Sequence, residues 1–120
     1  MSSPKARAHT YRSKSLIRSQ RWRWDLVTAN GRLVAHSGEG YANATHAHEM
    51  MYRVSVGGYA DHPADVYRTR SLKRSQRWAW RLVVDGRKVA VSGEGYTDQS
   101  EAERMASRVL SGVYAVEFVS

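Results

Sequence analysis

The chain has no cysteine, two prolines and one phenylalanine. Without thiols it has no disulfide framework, no Cys-ligated zinc or iron–sulfur centre and no thiol nucleophile. No apolar run approaches the ~18 residues of a membrane span, and none has the make-up of a signal-peptide core. Acid is scarce too: eleven Asp+Glu stand against nineteen Lys+Arg in 120 residues, for a net charge of +8. A chain of this length has room for one modest core. These absences lead to the expectation of a soluble cytoplasmic protein of bacterial or phage type, without a cofactor.

What is present is a duplication. Residues 11–28 align with 67–84, and 30–60 with 85–115, the second copy lacking one residue in a turn. Of the 49 aligned pairs 28 are identical, which sets the register of the two copies without itself marking a site. Residues 11–62 are read as repeat 1 and 63–120 as repeat 2, together one pseudo-twofold domain, with 1–10 as a flexible basic arm.

Each repeat reads as three strands and a helix. Strand 1 is expected over Tyr11–Ile17 and Val66–Lys73, followed by a polar turn at Ser19-Gln20 and Ser75-Gln76. In strand 2, Trp22, Trp24 and Leu26 alternate with Arg21, Arg23 and Asp25, so one face is aromatic and the other charged. Trp78, Trp80 and Leu82 repeat the pattern, which places all four indoles in the core rather than on a base-stacking surface. Asn30-Gly31 and Asp85-Gly86 are type I′ hairpin signals. The buried face of strand 3 is ambiguous, because Leu33 aligns with Lys88 and His36 with Val91. Asn43 and Asp98 are helix N-caps, Glu101 stands in capping-box spacing, and apolar residues then recur at helical intervals up to Gly57 and Gly112 as C-terminal caps. Residues 113–119 alternate like a last strand.

The strings Trp22-Arg23-Trp24-Asp25-Leu26, Ala29-Asn30-Gly31 and Ser37-Gly38-Glu39-Gly40-Tyr41, followed by an Ala-rich helix, resemble the YegP-like family. Trp78 to Leu82, Asp85-Gly86 and Ser92 to Tyr96 carry the same likeness, which covers about residues 11–119. The resemblance implies an α+β fold. Tandem β-β-β-α-β repeats share one antiparallel sheet, two helices pack on it, and the C-terminal strands are exchanged between repeats. The family is of unknown function, so no catalytic residue is carried over. This chain departs from the family pattern in strand 1 and its turn, which here are rich in Arg, Lys and Ser rather than apolar, acidic and Gly residues.

That departure locates the charge. Residues 11–24 and 67–81 hold eleven of the nineteen basic residues and no acid. Two like hairpins then give two related basic patches, the electrostatic footprint of a phosphate-backbone binder. Lys14, Arg18, Arg21, Arg23, Arg70, Lys73, Arg74, Arg77 and Arg81 are the expected contacts. The bland alternative is that Arg is frequent through codon bias and that charged edges block aggregation.

Catalytic patterns fail. Ser37-Gly38-Glu39-Gly40 is neither a nucleophile elbow nor a P-loop. Its glycines are read as needing unusual backbone angles, and Glu39 and Glu94 as only a remote catalytic pair. His46 and His48 lie two apart on a helix, and His9, His36 and His62 stand alone, so no metal site is expected. The sequence thus favours a non-enzymatic protein binding DNA or RNA largely without sequence preference. The alternative is a protein-interaction module for an acidic partner, with no nucleic acid and no membrane involved. In either case the chain is a monomer with internal pseudo-symmetry or a homodimer.

Overall fold

The structure is a computed structural model that describes residues 5–119. Its strands are β1 (Lys5–Arg12), β2 (Trp22–Thr28), β3 (Leu33–His36), β4 (Asp65–Arg68), β5 (Trp78–Val84), β6 (Arg87–Val91) and β7 (Ala115–Val119). Its helices are α1 (Ala44–Ser55) and α2 (Gln99–Leu110). All seven strands form one sheet in the order β4-β5-β6-β3-β2-β1-β7. Helix α1 lies over β1 and β2, and α2 over β4 and β5. The fold is mixed α+β.

The helices form where the sequence places them. The Asn43 side chain accepts from His46 N and the Asp98 side chain from Glu101 N, which satisfies first-turn donors. Gly57 and Gly112 end the helices at φ +80° and +72°, angles that a Cβ would strain. Beneath the helices Trp24 and Trp80 are fully buried, with Leu26, Leu82, Tyr41 and Tyr96 around them. Trp22 and Trp78 flank this core half-buried.

The first strand differs from expectation. Residues 5–10 are not an arm: they belong to β1, paired with β2 from Ala6↔Thr28 to Arg12↔Trp22. Residues 1–4 lie outside the described residues. Ala6, Ala8 and Thr10 are buried and alternate with Lys5, Arg7 and His9, which are exposed. The period-2 signal was present, but it was written in alanine, whose small side chain lets α1 settle close to the sheet. Strand 1 also stops at Arg12 and β4 at Arg68, not at residues 17 and 73. The remaining residues are loops ending in 3-10 turns at Arg18–Gln20 and Arg74–Gln76.

Nor is the sheet wholly antiparallel: β7 pairs in parallel with β1, from Lys5↔Ala115 to His9↔Val119. A helix before β7 supplies the long crossover that a parallel neighbour requires. Strand 3 buries two consecutive residues, Val34 and Ala35, as β6 buries Val89 and Ala90. A register shift at Leu26/Val27, and another at Leu82/Val83, changes which side chains face the core. Only the second hairpin has positive φ at both turn residues, Asp85 and Gly86. In the first, Gly31 alone is positive and Gly31 N donates to Thr28 O, because Ala29 lengthens the loop by one residue.

At the centre of the sheet β3 and β6 share one residue pair, His36↔Val91. The two Ser-Gly-Glu-Gly-Tyr segments reinforce this seam. Gly38 lies against Lys88 and Gly93 against Leu33, so a Cβ at either would overlap the opposite hairpin. Glu39 pairs with Arg87 at 3.5 Å and Glu94 with Arg32 at 2.9 Å. Gly40 and Gly95 face the backbone of Gln20 and Gln76, a Cβ on Gly95 falling 2.6 Å from Gln76 Cα. None of these four glycines has positive φ. Their role is close approach, not the unusual backbone angle expected. Ser37 Oγ and Ser92 Oγ accept from the backbone N–H of Trp24 and Trp80 at 3.2 Å.

Gly40→Ala and Gly95→Ala are therefore expected to destabilise by about 1–3 kcal/mol each through overpacking. Denaturant midpoints at unchanged slope measure this, and an unchanged midpoint contradicts it.

Candidate nucleic-acid interface

Two loops carry most of the predicted contacts: loop 1, residues 13–21, between β1 and β2, and loop 2, residues 69–77, between β4 and β5. Each is built by its own hydroxyls. Ser13 N donates to Arg21 O at 2.5 Å and Ser13 Oγ to Gln20 O at 3.3 Å. Ser15 N donates to Ser13 Oγ at 3.3 Å, and Ile17 N to Ser15 Oγ at 3.2 Å. Loop 2 repeats the set: Thr69 N to Arg77 O at 2.7 Å, Thr69 Oγ1 to Gln76 O at 2.5 Å, Ser71 N to Thr69 Oγ1 and Lys73 N to Ser71 Oγ, both at 3.2 Å. A hydroxyl bonding a backbone amide two residues on fixes a turn locally. The bases are thus presented from ordered backbone.

Lys14, Arg18, Arg70, Lys73 and Arg74 are exposed, and Arg21 and Arg77 half-buried. Among the described residues none of these seven, nor Arg23, forms an ion pair. Arg81 does not share this freedom. Its guanidinium meets Asp65 at 2.9 Å and lies over the Tyr67 ring at 4.6 Å. The sequence reading placed Arg81 with the phosphate contacts because no acid is near it along the chain; the acid comes from the neighbouring strand. Arg23 is half-buried on the sheet face turned away from the helices, opposite Tyr11.

The two loops are not brought together. Strands β2 and β3, β3 and β6, and β6 and β5 are successively antiparallel, so β2 and β5 run in opposite directions. The loops that precede them lie at opposite ends of a molecule with extents of 37 × 36 × 27 Å. They form two separate cationic sites. Their apices hold residues the sequence reading did not single out, Leu16 and Leu72, 94% and 98% exposed. The spaced hydroxyls Ser13/Ser15 and Thr69/Ser71 were the available sign that these segments are turns, not strand.

Elsewhere the titratable groups are accounted for by packing. Glu39 and Glu94 each pair with an arginine of the opposite hairpin. Glu101 lies 3.9 Å from Arg32. A cleft of about 640 Å³ beside loop 2 is lined by Arg32, Thr69, Ser71, Gln76, Glu94 and Tyr96, and no histidine contributes to it. His46 packs on the Tyr41 ring at 4.8 Å, and His48 meets the edge of Phe118 at 5.8 Å. No cluster of three His, Cys, Asp or Glu fit to hold a metal occurs among the described residues, and no helix there is long and apolar enough to cross a membrane.

The open sheet face carries Asp25, with His9 and His36 as its register partners on either side. Burial pushes the Asp25 carboxyl above its ordinary value, partly offset by His36 and His9. A raised carboxyl favours the folded state fully below the unfolded pKa, and that contribution is lost as pH rises through the folded value. Asp25→Asn is expected to raise the denaturation midpoint at neutral pH, with the gain vanishing below the ordinary carboxylate range. A pH series of denaturant titrations checks this, and a gain confined to low pH contradicts it.

One sheet with two helices on one face is shared with solved proteins. The Escherichia coli protein of unknown function YegP superposes with a TM-score of 0.59 at 17% identity, covering 98% of this chain and 94% of that one. A UPF0339 protein from Shewanella oneidensis gives 0.61 at 13%, covering 95% and 91%. At such identities the likeness is one of fold. Residues 18–55 match the sequence pattern of the family described as Domain of unknown function (DUF1508). The fold is similar to that of YegP, in line with the resemblance its motifs carry. No curated protein matches it.

Proposed function

We propose that this chain is a duplicated β-β-β-α unit, its last strand exchanged onto the first copy, that binds DNA or RNA through the backbone phosphates. The observation that carries this reading is the pair of ordered loops whose cations have no ion-pair partner among the described residues. Lys14, Arg18 and Arg21 act at one end, and Arg70, Lys73, Arg74 and Arg77 at the other. Arg23 flanks the first site. Arg81 is left out because Asp65 neutralises it. Phosphate contacts of this kind position a protein without reading bases, so binding is largely sequence-independent. The protein works by binding alone, in the cytoplasm. With two sites at opposite ends it is bivalent.

A second reading has its own support. Strands β4 and β7 are the two edges of the sheet, and either suits strand addition by an acidic protein segment.

If each site neutralises about three or four phosphates of the duplex it holds, log affinity falls against log salt with a slope of about −3. Fluorescence polarisation on a labelled duplex from low to physiological salt measures it. Arg18→Glu with Arg74→Glu, one change in each site, is expected to flatten the slope by about 1. Absence of binding at low salt, or a flat salt response, rejects the nucleic-acid reading. A single nuclease-resistant protein partner in pull-downs supports strand addition instead.

A further inference from the structure

Leu16 and Leu72 lack a structural reason for being apolar. Each stands at the apex of an ordered loop, 94% and 98% exposed. A solitary exposed leucine needs no explanation. Two at aligned loop apices, both almost fully exposed, are a different matter, the more so as Ile17 beside one is replaced by Lys73 beside the other. In both loops the hydroxyl–amide bonds hold the apex. Each leucine is flanked by cations, Lys14 and Arg18 in one loop, Arg70, Lys73 and Arg74 in the other.

Resting on the nucleic-acid reading above, we propose that Leu16 and Leu72 are wedges that enter the minor groove of duplex DNA and part-unstack a base step, while the flanking cations hold the phosphates on either side. Apolar side chains used in this way kink the duplex, and the cost of unstacking is offset by the enlarged backbone contact. A loop already ordered loses little further entropy on insertion. Charge complementarity selects a polyanion, and the geometry selects against a membrane. Loops at opposite ends of the sheet do not both enter one planar bilayer, and the exposed apolar side chains, Leu16 and Ile17 in one loop and Leu72 in the other, offer little area to lipid. Each wedge instead addresses its own stretch of duplex.

The test uses the full chain and two 20-nucleotide duplexes, one fully paired and one with a central mismatch that is already partly unstacked. The wild type is expected to prefer the mismatched duplex by about tenfold, because part of the unstacking is already done. Leu16→Ala with Leu72→Ala is expected to abolish that preference and weaken binding about tenfold to a hundredfold, with the salt slope unchanged. Far-ultraviolet circular dichroism verifies folding, which side chains this exposed do not support. If the wild type binds with the steep salt slope and the double variant behaves identically, the wedge is overturned and the phosphate contacts stand. If the wild type shows no salt-dependent binding at all, the underlying reading fails. Capture of the wild type by phosphatidylserine vesicles, lost in the leucine variant while duplex binding is unaltered, overturns the wedge in favour of a lipid surface.

Discussion

The seam between β3 and β6 is the constraint on which the rest of the sheet depends. One register pair joins these strands, yet five further strand pairings and both helices are organised on either side of it. The two Ser-Gly-Glu-Gly-Tyr segments make up the difference by reciprocity. Each is packed against the opposite hairpin at its first glycine, ion-paired to that hairpin at its glutamate and packed on its own loop at its second glycine. The ion pairs are exposed and contribute little individually. Close backbone contact is the stronger element, because nothing larger than hydrogen fits. A motif that fits no catalytic pattern along the chain thereby has a mechanical purpose.

The same contacts couple the seam to the loops. Gly40 admits Gln20 and Gly95 admits Gln76, each the last residue of a 3-10 turn. Tyr41 and Tyr96 then bridge to Trp22 and Trp78, where the loops re-enter the sheet. Loop position is therefore set by the centre of the molecule as well as by local hydroxyls. Loops held in this way present their cations without large ordering losses, which is a condition for useful affinity from few contacts.

Much of the fold was legible in the sequence, since helix caps, indole alternation and turn signals each act within a few residues. The helix starts at Asn43 and Asp98, and the burial of Trp24 and Trp80, follow from such local rules. Strand β1 was not legible, because alanines at Ala6 and Ala8 carry a weak apolar signal that becomes meaningful only once α1 lies above them. The parallel placement of β7 depends on where the chain returns after α2, which no local pattern encodes. At the candidate site, charge density along the chain drew attention to both loops. It overstated Arg81, whose partner Asp65 sits on an adjacent strand, and it hid Leu16 and Leu72 inside segments read as strand. Side-chain neutralisation and exposure are three-dimensional properties, and these residues show both limits.

The central claim is that polyanion contact is confined to two loops at opposite ends of one sheet. Backbone amide mapping by nuclear magnetic resonance, with a short duplex titrated into isotope-labelled protein at low salt, tests it most directly. The account predicts shift changes concentrated in residues 13–21 and 69–77, with the helices and β7 unaffected. Changes centred on the helices, on the edge strands or spread evenly over the surface contradict it.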